Sequence, residues 1–258
     1  MTTEQLRDRF VASDLFVQGA IRTLYSHEDR IVIGGVVPRI GQPLTLPTYD
    51  PLRSETFCER RELGIVAVGG AGVVVVDGTT HVMAHYDVLY VGMGARDIMF
   101  SSANTDESAA FYLVSALSHV SHPTRLVRVA DAQSTAAGTA TGANQRVITK
   151  YIHADGLQSS QLVLGITALE PGSVWNTMPC HLTTGGRRST CTSACPRKHG
   201  SSTSSASPTG RAAWCWPTGP RSSHPGGRCT LALAPRATRS CGRWQARTSP
   251  SRTWTRSR

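Results

Sequence analysis

The stretch GIVAVGGAGVVVVDGTTHVMAHYDVLYVGMGARDIMFSS, from Gly64 to Ser102, decides the fold class. It is a string of short β-branched and aromatic runs, broken at Gly69-Gly70, Asp77-Gly78 and Gly92-Met93-Gly94. Asp-Gly is a favoured two-residue hairpin turn. Short strands closely spaced by turns build a sandwich or barrel, and no helix-length apolar pattern intervenes to make a parallel α/β sheet. An all-β chain with an antiparallel jelly roll follows.

Upstream, YSHEDRIVIGGVVPR places Ile31 and Ile33 on a strand that runs into a bend at Gly34-Gly35. Before it, Thr3 to Leu15 alternates charged and apolar residues at helical spacing, which gives a short amphipathic helix or docking arm. Residues 1–30 are therefore read as an N-terminal arm and 31–130 as a first barrel. FYLVSALSHVSHPTRLVRV adds strand to that barrel, and DAQSTAAGTATGANQ, residues 131–145, is a linker of small polar residues. A second β unit starts at 146–181 with RVITKYIHADGLQSSQLVLGITALEPGSVWNTMPCH, where LVLGITAL is strand-like and Pro171-Gly172 makes a turn.

The net charge of +10 hides a sharp split. All 17 acids lie between Met1 and His181 beside 13 Lys and Arg, a net of −4, while Leu182 to Arg258 holds 14 Lys and Arg and no acid. That tail also lacks Ile, Val, Phe, Tyr, Met and Asn, so it reads as disordered, without regular strands. Its charge and four tryptophans fit a nucleic-acid-binding tail, but no fold or motif supports one, and that class is set aside. Cys191 and Cys195 have the spacing of half a zinc site, and Cys215, Cys229 and Cys241 supply no second close pair.

The opening MTTEQLRDRFVASDLF carries acids and no apolar run of signal-peptide type, and nothing approaches the roughly 18 apolar residues of a membrane span. A cytoplasmic protein with no membrane partner is the expectation, with Cys58 and Cys180 as reduced thiols.

Four strings, YSHEDRIVIGG, FCERRELGIVAVGGAGVVVVDG, DVLYVGMGA and above all GSVWNTMPCH, occur in the order found in the 4-deoxy-L-threo-5-hexosulose-uronate ketol-isomerases, and the chain resembles that family over residues 1–181. The resemblance implies two tandem cupin barrels, each a double-stranded β-helix jelly roll, with the second barrel truncated in this chain. It also implies a homo-hexamer and one divalent metal, usually zinc, in the second barrel. The activity implied is aldose–ketose isomerisation of 5-dehydro-4-deoxy-D-glucuronate to 3-deoxy-D-glycero-2,5-hexodiulosonate, a step of pectin breakdown.

The first barrel is expected to be metal-free, because AHYDVLYVGMGARDIMF has no histidine where a metal-binding cupin ends its second motif. His85 beside Asp87 reads as a hydrogen-bonded histidine at a strand edge, with a ligand as the lesser alternative. The run Glu59, Arg60, Arg61, Glu62 matches the family's ERRELG. It reads as a solvated face or an intersubunit contact, with an arginine grip on the substrate carboxylate as a third option.

Isomerisation through an enediol calls for stabilisation of a developing oxyanion, which a metal held by His and carboxylate provides. Cupins hold it with H-x-H-x(3,4)-E and a distant His, the first two His alternating onto one strand face. His181 supplies the first ligand, but position 183 is Thr, no Glu follows, and the later His199 and His224 sit in unpatterned surroundings. A catalytic zinc keeps at least three protein ligands. The general base is not assignable from the sequence.

The tail has the composition of GC-rich codons read out of phase. With permitted codons for His181 to Arg188, one A inserted after the first codon converts the reading to H-T-H-D-R-R-S-E, the missing H-x-H-x4-E motif. In the same phase Ser189 to Ser193 permits V-Y-L-Y-F, the codon across Cys229 and Thr230 must encode His or Tyr, and Cys241 to Thr248 permits W-A-M-A-G-E-N. The chain as written is therefore expected to be an impaired isomerase, or a non-catalytic cupin-like fragment.

Overall fold

The computed structural model describes residues 2–5, 11–27, 30–103 and 108–174, together with the backbone of four short strands at 189–193, 212–215, 229–233 and 255–256. The first unit is built from β1 (Ala20–Tyr25), β2 (Val32–Val37), β3 (Leu44–Thr45), β4 (Arg61–Ala67), β5 (Gly72–Val76), β6 (Thr79–Met83), β7 (Val88–Val91), β8 (Ile98–Ser102), β9 (Phe111–Leu117) and β10 (Arg125–Val127). These pair antiparallel in two sheets. One has the order β10-β7-β4-β9-β2-β1, and the other the order β3-β8-β5-β6.

The hairpin foreseen at Asp77-Gly78 joins β5 to β6, with Val76 opposite Thr79. Asp77 and Gly78 have φ of 46° and 81°. Two positive φ values in succession make the turn whose twist matches the flanking strands, and glycine takes the second at no steric cost.

The core between the sheets is apolar. Val32, Val36, Leu63, Ile65, Leu89, Val91, Phe111 and Leu113 of the larger sheet face Val74, Val76, Met83, Ile98 and Phe100 of the smaller one. The larger sheet is covered on its outer side as well, since Val66, Val88, Tyr90, Tyr112, Val114 and Ala116 pack against Ala12 and Leu15 of the arm and against the second unit. Burial on both faces is why β4, β7 and β9 read RELGIVA, VLYV and FYLVSAL instead of alternating.

The second unit contains β11 (Gln133–Ala137), β12 (Arg146–Ile152) and β13 (Leu164–Leu169). Antiparallel pairing sets Ala137 opposite Arg146 and Arg146 opposite Leu169. Tyr151, Ile152, Leu162, Leu164 and Ile166 bury against the first unit. At Gly64 the approach is close, for a Cβ there would lie 3.0 Å from Leu164 Cδ1. The turn foreseen at Pro171-Gly172 follows β13, with Gly172 at φ 83°.

Three segments differ from the sequence reading. Helical backbone in the arm is confined, among the described residues, to 3–5, and residues 11–17 run irregularly with Ala12 and Leu15 pressed onto the sheet. Strand begins at Ala20, inside the segment read as an arm, and the linker holds β11. In both places tertiary pairing overrides weak local preference, because an extended neighbour with open N–H and C=O groups recruits whatever lies beside it.

The tail differs too. β14 (Ser189–Ser193), β15 (Ala212–Cys215), β16 (Cys229–Leu233) and β17 (Thr255–Arg256) lie in the segment read as strandless. β16 pairs with the open edge of β13, β14 pairs with β16, β15 runs parallel to β14, and β17 adds to β1. Ladder formation is a backbone property, so a sheet edge accepts extended segments of many compositions. The remainder of 182–258 lies outside the described residues.

Candidate functional site

His181, the one matching metal ligand, lies outside the described residues, as does the Trp175 to Cys180 part of its motif. Among the described residues, no three His, Cys, Asp or Glu side chains gather in a way that would hold a metal ion.

In the first barrel, His85 is exposed in the turn between β6 and β7, and its Nδ1 lies within hydrogen-bond distance, 3.0 Å, of the Gly69 carbonyl oxygen. His81 lies on β6 opposite Val74 of the core, and its Nε2 is buried without a hydrogen-bond partner. Burial lowers its pKa, favouring the neutral ring.

The charge run at Glu59 to Glu62 is not a uniformly solvated face. Glu59 and Arg60 face outward and form an ion pair at 3.1 Å, whereas Arg61 and Glu62 are 3% and 0% exposed. The period of two sends them to opposite sides of β4. Arg61 turns to the barrel interior, where Nε donates to Ser115 Oγ at 3.0 Å and Nη2 donates to the Ser115 carbonyl at 2.9 Å and to the Arg30 carbonyl. Desolvation pushes its pKa down to about 10, which leaves the guanidinium charged at neutral pH. Its donors are spent on backbone and hydroxyl oxygens, so the carboxylate grip considered for this run is not built by Arg61.

Glu62 turns outward, to the seam between the two units. Its Oε2 accepts the Tyr90 hydroxyl and the Ser160 N–H, both at 2.8 Å, and its Oε1 accepts the N–H groups of Gln161 at 2.6 Å and Leu162 at 2.7 Å. Four donors converge on one buried carboxylate, and three of them are successive backbone amides of the loop that leads into β13. Tyr90 is held protonated by burial and by the adjacent Glu62 charge, both of which raise its pKa. Asp87 ties down the segment that leaves the first unit, accepting the Ala84 and Val129 N–H groups and pairing with Arg128 Nη1 at 3.5 Å.

The second unit's sheet has two unlike faces. Ile166 and Ala168 of β13 turn to the first unit. The strand period then places Arg146, Ile148 and Lys150 of β12 on the opposite face, with Thr167 and Leu169 of β13 beside them. Glu62 entered the sequence reading only as a member of the charge run, and this cationic face did not enter it at all. The alternation in RVITKYI did carry the second signal, as two cations four residues apart on one strand.

Comparison with known proteins fits this architecture. The KduI/IolB family matches residues 26–183. A 4-deoxy-L-threo-5-hexosulose-uronate ketol-isomerase of Bacillus pumilus is 50% identical over 181 residues, covering 70% of this chain and 65% of its own length. One of Lachnoclostridium phytofermentans is 47% identical over 180 residues with the same coverage. This chain thus spans 65% of the length of those curated relatives. Among solved structures, an IolB-like protein of Salmonella typhimurium LT2 superposes with a TM-score of 0.52 at 14% identity, over 81% of this chain and 85% of that one. That likeness shows the fold, a cupin architecture, and with more than half of its residues matched by the family model, the chain belongs to the KduI/IolB family.

Proposed function

We propose that this chain derives from a uronate ketol-isomerase, converting 5-dehydro-4-deoxy-D-glucuronate to 3-deoxy-D-glycero-2,5-hexodiulosonate, and that as written it is impaired in that reaction. The observation that carries the first half is 50% identity over 181 residues to a relative bearing that activity in its name. In the reaction the hydrogen on the carbon beside the aldehyde moves to the carbonyl carbon through an enediol, and the hydroxyl proton moves to the former carbonyl oxygen. Nothing is gained or lost overall, so the protein has to supply a base, a proton donor and stabilisation of negative charge on oxygen.

The second half rests on where likeness ends. The family model stops at residue 183, two positions after His181, and from there no acid occurs to the end of the chain. A frame lost directly after the His181 codon accounts for both, and it truncates the second barrel. In the family's pattern the protein is a cytoplasmic homo-hexamer with one zinc per subunit, acting on products of pectin breakdown. Turnover of the 4-deoxy uronate by the present chain and by a chain with the frame restored after His181 tests the proposal. Isomerisation by the restored chain alone is the expected result. Family-like turnover by the present chain overturns the impairment, and no turnover by either overturns the substrate.

A further inference from the structure

Arg146 is a half-buried cation with no acidic partner among the described residues, where the ion pairs are Glu59 with Arg60 and Asp87 with Arg128. Its guanidinium is anchored at one corner, since Nη1 donates to the Asn144 carbonyl at 2.9 Å. Nε is buried and has no hydrogen-bond partner. With Nη1 occupied, the edge formed by Nε and Nη2 remains. That edge is the side-on fork whose two parallel N–H groups match the two oxygens of a carboxylate. A sheltered N–H without an acceptor is costly, and a position that keeps one oriented by a second hydrogen bond is preorganised for an acceptor from outside the fold.

The surroundings are those of a sugar acid and not of an ion pair inside the protein. Cross-strand neighbours place Ala137 and Leu169 beside Arg146, and Thr135 and Thr167 beside Ile148 on the same face. Lys150 closes the row between Gln133 and Gly165, roughly 13 Å from Arg146 at the rise of a strand. One face thus carries a fixed fork, an exposed Thr135, a buried Thr167 and an exposed ammonium in line. The opposite face is sealed against the first unit by Ile166 and Leu164.

We propose that Arg146 is the carboxylate anchor of this site, taking the acid group of a uronate side-on, with Lys150 at the other end of the same face as a weaker second contact. The assignment rests on the uronate reading above and deepens it, and it uses only residues that precede His181.

Binding of galacturonate and of galactose to the full 258-residue chain, followed by calorimetry or saturation-transfer NMR, provides the test. Galacturonate should bind and galactose should not. R146Q should weaken galacturonate roughly tenfold or more, R146K should not restore it because an ammonium lacks the fork, and K150M should weaken it less. Thermal melting of each variant checks that the fold persists. Where R146Q melts early, R146K, which keeps the charge, decides the matter. Galacturonate affinity unchanged in R146Q and R146K overturns the anchor alone. No saturable galacturonate binding by the wild type, or equal affinity for galactose, overturns the anchor, whereas the uronate reading falls only if the frame-restored chain also fails to turn over the 4-deoxy uronate.

Discussion

The carboxylate of Glu62, on the first barrel, accepts the backbone N–H of Leu162 in the second unit at 2.7 Å, across a hundred residues of chain. With Ser160, Gln161 and Tyr90 on the same two oxygens, it acts as a buried fastener between the units. Glu62→Ala leaves three amides and a hydroxyl without their acceptor, and hydrogen bonds to charged groups are individually worth about 1.5–3 kcal/mol. A loss of about 3 kcal/mol or more in urea unfolding is expected, with Glu62→Gln intermediate because an amide accepts at only one of the two oxygen positions. Stability within about 0.5 kcal/mol of wild type in Glu62→Ala contradicts the fastener.

Alkaline pH should loosen the first barrel. Burial pushes the Cys58 thiol up from 9.0 to about 12 and raises Tyr49 and Tyr90 above their ordinary range. The folded state therefore keeps protons that the unfolded state releases. Stability from these groups is complete below the unfolded values and is lost as pH rises through 9 towards 12. Urea midpoints should be level between about pH 7 and 8.5 and then fall, and less steeply in Cys58→Ala. An alkaline limb of the same slope in both proteins removes Cys58 from the explanation.

Resequencing of the gene, or the sequence of a near relative, should show one additional base directly after the His181 codon, restoring H-T-H-D-R-R-S-E. An independent read that returns the present frame, together with related genes encoding the same Arg-rich tail, would make the tail genuine.

Metal content gives a separate measure. With His181 alone in place of a three-His, one-Glu set, the chain as written should purify with well under one equivalent of zinc per subunit. The frame-restored chain should hold about one equivalent, removable by chelator. Stoichiometric zinc in the present chain means the ligands come from elsewhere in the sequence.

Much of the first barrel was legible because its signals are local. The Asp77-Gly78 turn, the glycine breaks and the short apolar runs each specify a neighbouring pair of strands. Glu62 was not legible: a charge run reads the same whether solvent or a loop a hundred residues later covers it, and the covering loop supplies backbone amides that no side-chain pattern announces. β11, rich in Ser, Ala and Thr, is a strand because β12 lies beside it. Arg146 and Lys150 were visible as an alternation, yet their shared face gained meaning only when the other face of the sheet was found sealed against the first unit.

The fastener at Glu62 also sets an order of events in time. A ribosome adding about 5–20 residues per second needs about 5–20 s to travel from Glu62 to Leu162. Through that interval the loop amides do not yet exist, and a carboxylate that cannot be left dry without partners has to stay hydrated. The outer side of β4 must therefore remain wet while the barrel interior closes behind it. The seam can set only once Leu162 has been made, after the last strand of the first barrel.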